Sequence, residues 1–131
     1  MDSAAPTAPV SKARLWTSYV LSALPVLMMV ISGSMKVFAP PQLLEGMAHF
    51  GYPGHLARPI GILELTCALL YVVPRTSILG AVLVAAYLGG ATATHVRIGE
   101  PFFVPVLLGA MAWLGLWLRE PRLHPLAPLR K

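Results

Sequence analysis

Six residues of this chain have side chains that could act together: Lys36, Glu64, Tyr87, Thr94, His95 and Arg97. A carboxylate beside a cation, with an imidazole and two hydroxyls within reach, can bind the polar head of a ligand, lock helices as an ion pair, or pass a proton. The densest part is "GGATATHVRIGEP", residues 89–101, where His95, Arg97 and Glu100 follow a long apolar run and Pro101 closes the group. Other chemistries are missing their signatures. No second histidine stands three or four residues from His95 and no zinc spacing appears, so no metal site is expected, even from His49, His55, Glu64 and His95 across elements. There is no glycine-rich phosphate loop, nucleophile elbow or haem attachment motif, so neither independent catalysis nor a covalently held cofactor is expected. Cys67 is the single cysteine and lies inside an apolar run, which excludes a C-x-x-C redox pair and reads as a small buried hydrophobe.

The elements that must position these residues follow from composition. Of 131 residues, 56% are hydrophobic and 11% charged, where a soluble chain carries about a quarter charged. A single domain this small cannot hide so much apolar surface from water, so its solvent is lipid. Charges divide the chain into four apolar stretches. They run from Leu15 to Met35, from Pro59 to Pro74 with Glu64 embedded, from Thr76 to Val96, and from Pro101 to Leu118. A helical span needs about 20 residues, and backbone groups in lipid must be satisfied within their own segment. The expected fold is an all-α membrane protein, one domain over residues 1–131. Four transmembrane helices form a bundle, with spans at about 15–35, 57–74, 76–96 and 101–118. The first stretch exceeds a signal-peptide core of about 7–15 residues and is read as a retained span, loosened at Pro25.

Between the first two spans, "APPQLLEGMAHFGYPG" offers Pro41 as a helix start and Leu43, Leu44, Met47 and Phe50 on one face, a short interfacial helix ended by Gly51 and Pro53. The proline-rich ends, residues 1–13 and 120–131, read as loose cytoplasmic tails, the second resting on anionic headgroups. In the third span Ala81, Ala85, Gly89 and Ala93 recur every four residues, a spacing that lets helices approach closely and puts this span at the bundle centre, against its own chain or a second copy.

Orientation follows the basic residues. With the amino terminus inside, Lys12, Arg14, Arg75, Arg119, Arg122, Arg130 and Lys131 are cytoplasmic, against Lys36, Arg58 and Arg97 outside. The net charge of +5 is therefore read as topology-setting, and no nucleic-acid partner is expected. Alternating spans bring Lys36, Glu64, His95 and Arg97 to one level at the outer face. Glu64 lies six residues past Arg58, roughly 9 Å along a helix. A carboxylate at that depth must be protonated or paired, with Lys36 and Arg97 as the available cations and His95 as a hydrogen-bonding neighbour. Ser32 and Ser34 add hydroxyls just before Lys36.

On "SGSMKVF", "GILELTCALLYVVPR" and "AAYLGGATATHVRIGEPFFVP", which together cover roughly residues 24–118, the chain resembles the DoxX-like family of small four-span membrane proteins. The resemblance implies a bacterial inner-membrane protein with a four-helix bundle. It also implies kinship with membrane redox systems such as thiosulfate–quinone oxidoreductase subunits, and with assembly roles. The reading that results is an accessory or small lipophilic-ligand-binding protein whose outward-facing pocket is formed by the six residues named first. A quinone or a lipid would suit it. The alternative is a membrane subunit of a quinone-linked oxidoreductase, with electrons handled by a partner protein. A small dimeric proton-coupled transporter is the third reading. It is weakened because the first span lacks the carboxylate that such exporters carry there.

Overall fold

Residues 9–127 are described by a computed structural model of the chain. They are mostly helical, with no strand among them. Helix α1 runs Lys12–Phe38, its amino end capped by the Ser11 hydroxyl on the Arg14 amide at 3.3 Å. It passes through Pro25 without a break and stops at Ala39, whose φ of 52° is left-handed and whose amide bonds the Met35 carbonyl at 2.8 Å. Pro40 and Pro41 follow, so the chain cannot continue the helix there. Pro41 instead opens α2, Pro41–His49. A short 3-10 turn at Gly54–Leu56 leads into α3, Ala57–Val72, and a second at Pro74–Thr76 into α4, Ser77–Arg97. Helix α5, Phe103–Arg119, completes the set.

The helices containing Lys12–Phe38, Gly54–Val72 and Pro74–Arg97 are long and apolar enough to cross a membrane; Phe103–Arg119 is apolar but shorter, at 17 residues. Their outer surfaces carry Leu27, Ile31, Leu69, Leu79, Leu107 and Leu114 exposed, while Ser18, Ser22, Glu64 and Ser77 lie buried. Apolar outside and polar inside is the arrangement lipid selects and water does not.

Helix α1 packs against α3 and α5, and α4 packs against the same two, so the four long helices form a ring with α1 and α4 on opposite corners. Small residues set the close approaches. A Cβ on Gly61 of α3 would stand 2.6 Å from the Gly33 carbonyl of α1, and one on Gly115 of α5 would stand 2.9 Å from the Ser18 carbonyl. Met29, Cys67, Tyr71, Val84, Leu108 and Leu116 belong to the core they enclose.

Two sequence expectations are corrected. Helix α4 is not central, and its column of small residues is not the packing seam. Ala81 is fully buried, yet a Cβ on Gly89 would meet nothing within 4 Å, and Ala93 is exposed. The cause is helical pitch. At about 100° per residue, positions 8 and 12 residues beyond Ala81 have rotated roughly 80° and 120° off its face. The seam that is buried follows the true period through Ser77, Gly80, Ala81, Val84 and Leu88.

The second correction concerns the carboxyl-terminal segment. Residues 120–127 are not loose: Leu123 is buried, the Trp117 indole donates to the Ala127 carbonyl at 2.8 Å, and the His124 ring lies 4.2 Å from that indole. Arg14 joins them at 2.7 Å from His124 Nε2, tying the start of α1 to the end of α5. At the other end Lys12 and Ala13 already belong to α1. Ser11 caps that helix, and residues 1–8 and 128–131 of the two expected tails lie outside the described residues.

Candidate functional site

The site forms where the last turns of α1 and the middle of α4 flank the second turn of α3. Gly33 and Gly61 let α1 and α3 nearly touch, bringing the Lys36 Cβ beside Gly61, one helical turn before Glu64. Lys36 Nζ then meets Glu64 Oε2 at 2.8 Å, with the glutamate 3% exposed. The same oxygen accepts from the Tyr87 hydroxyl of α4 at 2.8 Å and from the Ser32 hydroxyl at 3.3 Å. Lys36 also donates to Ser32 Oγ, four residues earlier on α1. Three helices are thus joined at one carboxylate oxygen. An unpaired charge here would be costly, and the ammonium and two hydroxyls compensate it.

These groups stand in the wall of a cavity of about 610 Å³, otherwise lined by apolar residues that include Met28, Met29, Leu63 and Leu108. Thr94 and His95 line it from α4. The His95 Nδ1 bonds the Ala91 carbonyl at 2.7 Å and its ring packs 4.8 Å from Phe50; it makes no bond to Glu64. Thr94 donates to the Gly90 carbonyl at 2.9 Å and accepts from the Tyr52 hydroxyl at 2.9 Å.

Arg97 is the residue the structure sets apart. Expected as an alternative partner of Glu64, its guanidinium instead bonds the Phe50 carbonyl and lies over Gly51, whose φ of 84° a side chain would strain. It does not line the cavity. Two residues past His95 is about 200° around the helix, which turns Arg97 away from the face that Thr94 and His95 present. Glu100 makes a parallel contact, its carboxylate 2.8 Å from His49 Nε2 on α2. So the polar group after α4 fastens the cover of the cavity: Met47, Phe50 and Tyr52 roof it, and Arg97, Glu100 and Thr94 hold that roof to α4.

The roof is the part that sequence reasoning missed. Tyr52 sits in "GYPG", which reads only as a helix stop, and its hydroxyl partner is 42 positions away. Ser32 had a legible signal in its four-residue spacing from Lys36. No group of three or more His, Cys, Asp or Glu that could hold a metal ion occurs among the described residues.

Fold and site together define a small helical membrane protein with a buried ion pair beside an apolar cavity. The DoxX-like family model matches residues 20–117, which includes every residue that lines the cavity, and the chain belongs to that family. No curated protein and no solved structure matches it.

Proposed function

We propose that this chain is an accessory protein of the bacterial inner membrane that binds a small lipophilic ligand, with no independent catalysis. Its four long helices cross the membrane as a bundle, both termini are cytoplasmic, α2 lies at the outer interface, and the cavity faces outward. Supporting the orientation are the seven basic residues on the amino-terminal side against three on the other. At about 25 Å, α5 is short for a hydrocarbon core of about 30 Å, a gap that modest local thinning accommodates. The observation that carries the reading is a charged pair at 2.8 Å set in the wall of a cavity whose other surfaces are mostly apolar. Polar groups that fix a head, with an apolar chamber for a body, are the build of a small-molecule site. A lipid or a quinone has that shape.

Gly90 supplies the test, because it lines the cavity and a Cβ there meets nothing within 4 Å. Gly90→Phe should fill the chamber without disturbing the helices. Mass spectrometry of protein purified in gentle detergent should find a small apolar molecule with the wild type and not with the variant. An identical complement from both would refute the reading. A second reading, a membrane subunit of a quinone-linked oxidoreductase, draws on the continuous hydrogen-bonded set Ser32–Lys36–Glu64–Tyr87, which could move protons beside a bound quinone. Stoichiometric co-purification of a cofactor-bearing partner would favour it.

A further inference from the structure

Counting the hydrogen-bonding valences that face the cavity narrows the ligand further, resting on the ligand-binding reading above. Every polar contact to Glu64 falls on Oε2. Its Oε1 has no protein partner, and it is not among the fully buried unpaired atoms, where Arg14 Nε alone appears among the described residues. Oε1 therefore reaches open space, and the space beside Glu64 is the cavity. His95 makes the same offer. Its Nδ1 faces a carbonyl, which only accepts, so Nδ1 carries the proton, and in that tautomer Nε2 is a lone pair.

The donors, by contrast, are almost all spent. Tyr87 and Ser32 give their protons to Glu64, Tyr52 gives its proton to Thr94, and Thr94 gives its own to Gly90. Lys36 uses two of its three N–H groups on Glu64 and Ser32. One donor is left against acceptors at Glu64 Oε1, His95 Nε2 and the Tyr87 and Tyr52 oxygens. Charge is also balanced, since Lys36, the one lysine or arginine in the wall among the described residues, is neutralised by the carboxylate touching it.

We infer that the cavity selects a neutral apolar molecule whose head is a hydroxyl donor, an alcohol or a phenol, and that it discriminates against carboxylates, phosphates and heads that only accept. An anion would find one spare N–H and a carboxylate already in place. An ether or ketone would leave Oε1 and Nε2 facing apolar surface unpaired, which is the expensive half of hydrogen-bond exchange.

The experiment uses the full chain in phosphatidylcholine nanodiscs, whose headgroup has no hydroxyl to compete. Three probes with one body are titrated calorimetrically against protein-free discs: 4-heptylphenol, its methyl ether 4-heptylanisole, and 4-heptylbenzoate. The phenol should show a saturable component at least about tenfold tighter than either of the others, the effect of about one well-placed hydrogen bond. His95→Phe, which keeps a ring against Phe50, should weaken the phenol by several-fold and leave the ether unchanged. Equal saturable binding of phenol and ether, abolished in both by Gly90→Phe, overturns this inference and leaves the ligand-binding reading standing. Tighter benzoate overturns it in favour of anions. No saturable binding by any of the three overturns both.

Discussion

Neutralising Glu64 should expose what its partner is worth. Glu64→Gln keeps the shape and an amide oxygen for Tyr87 and Ser32, so the change isolates charge. It strands the Lys36 ammonium, whose side chain is only 17% exposed. At 2.8 Å and an effective dielectric of about 20, the lost Coulomb attraction is about 6 kcal/mol. The charge of the removed carboxylate no longer has to be desolvated, which returns part of it, and breaking such a pair on one side costs about 3–5 kcal/mol. For 131 residues that corresponds to roughly 10–20 °C in melting temperature. Adding Lys36→Met removes the stranded charge and should recover at least half the loss. The control is Glu64→Gln with Arg97→Met. Arg97 is bound to the Phe50 carbonyl, so its effect should simply add. Detergent melting across both double-mutant cycles decides. Additivity in the Lys36 cycle, or coupling in the Arg97 cycle, would refute the pairing.

Packing, the carboxyl-terminal segment and topology each give a separate test. Gly61→Leu should abolish folded protein, since its Cβ alone would lie 2.6 Å from the Gly33 carbonyl and 2.8 Å from the Lys36 Cβ, while Gly89→Leu should melt within a few degrees of wild type. Leu123→Ala should cost about 2–3 kcal/mol in the same assay, because Leu123 is buried where the tail closes on α1 and α5; an unchanged melting temperature would mean that the segment is undocked in detergent. A reporter active only outside the cytoplasm should be silent when fused after Lys131, and strong activity would invert the proposed orientation and turn the cavity inward.

Much of the helical layout was legible because charges and prolines delimit the apolar runs: Pro40, Pro53 and Pro101 fall between helices, Pro41 opens α2 and Pro74 opens the 3-10 turn before α4. The need of Glu64 for a partner was legible too. Which cation answers it was not. The sequence reads Lys36 and Arg97 at one level, but Glu64 meets α4 at Tyr87, ten residues or about 15 Å along the helix from Arg97, while the Gly33–Gly61 contact brings Lys36 close. The small-residue column misled because a strict spacing of four drifts off a helix of period 3.6. Composition made the segment after Arg119 look unanchored, and the burial of Leu123 with the Trp117–His124 stack reversed that. A proline-rich, basic average says nothing about where a single leucine docks.

The polar network itself remains to be explained, because lipid-facing helices have cheaper ways to hold together. Replacing a buried ion pair by apolar groups of like volume is often neutral or stabilising, by about 1–4 kcal/mol where it helps. A staple between α1, α3 and α4 could therefore be leucine and methionine, residues this chain uses freely. A staple would also have reason to satisfy both carboxylate oxygens, and Oε1 is left open toward the cavity. The two roles separate in one variant. Ser32→Ala, Lys36→Met, Glu64→Leu and Tyr87→Phe together remove every member of the set, leaving no orphaned donor or charge behind. If the network exists for the ligand, this fourfold variant should melt within about 1 kcal/mol of wild type, roughly 5 °C or less, and lose saturable binding of the phenol probe. A collapse in stability comparable to Glu64→Gln alone would show that the pair holds the fold in its own right. Retained phenol binding in a stable fourfold variant would remove the polar set from recognition and leave the cavity a purely apolar site.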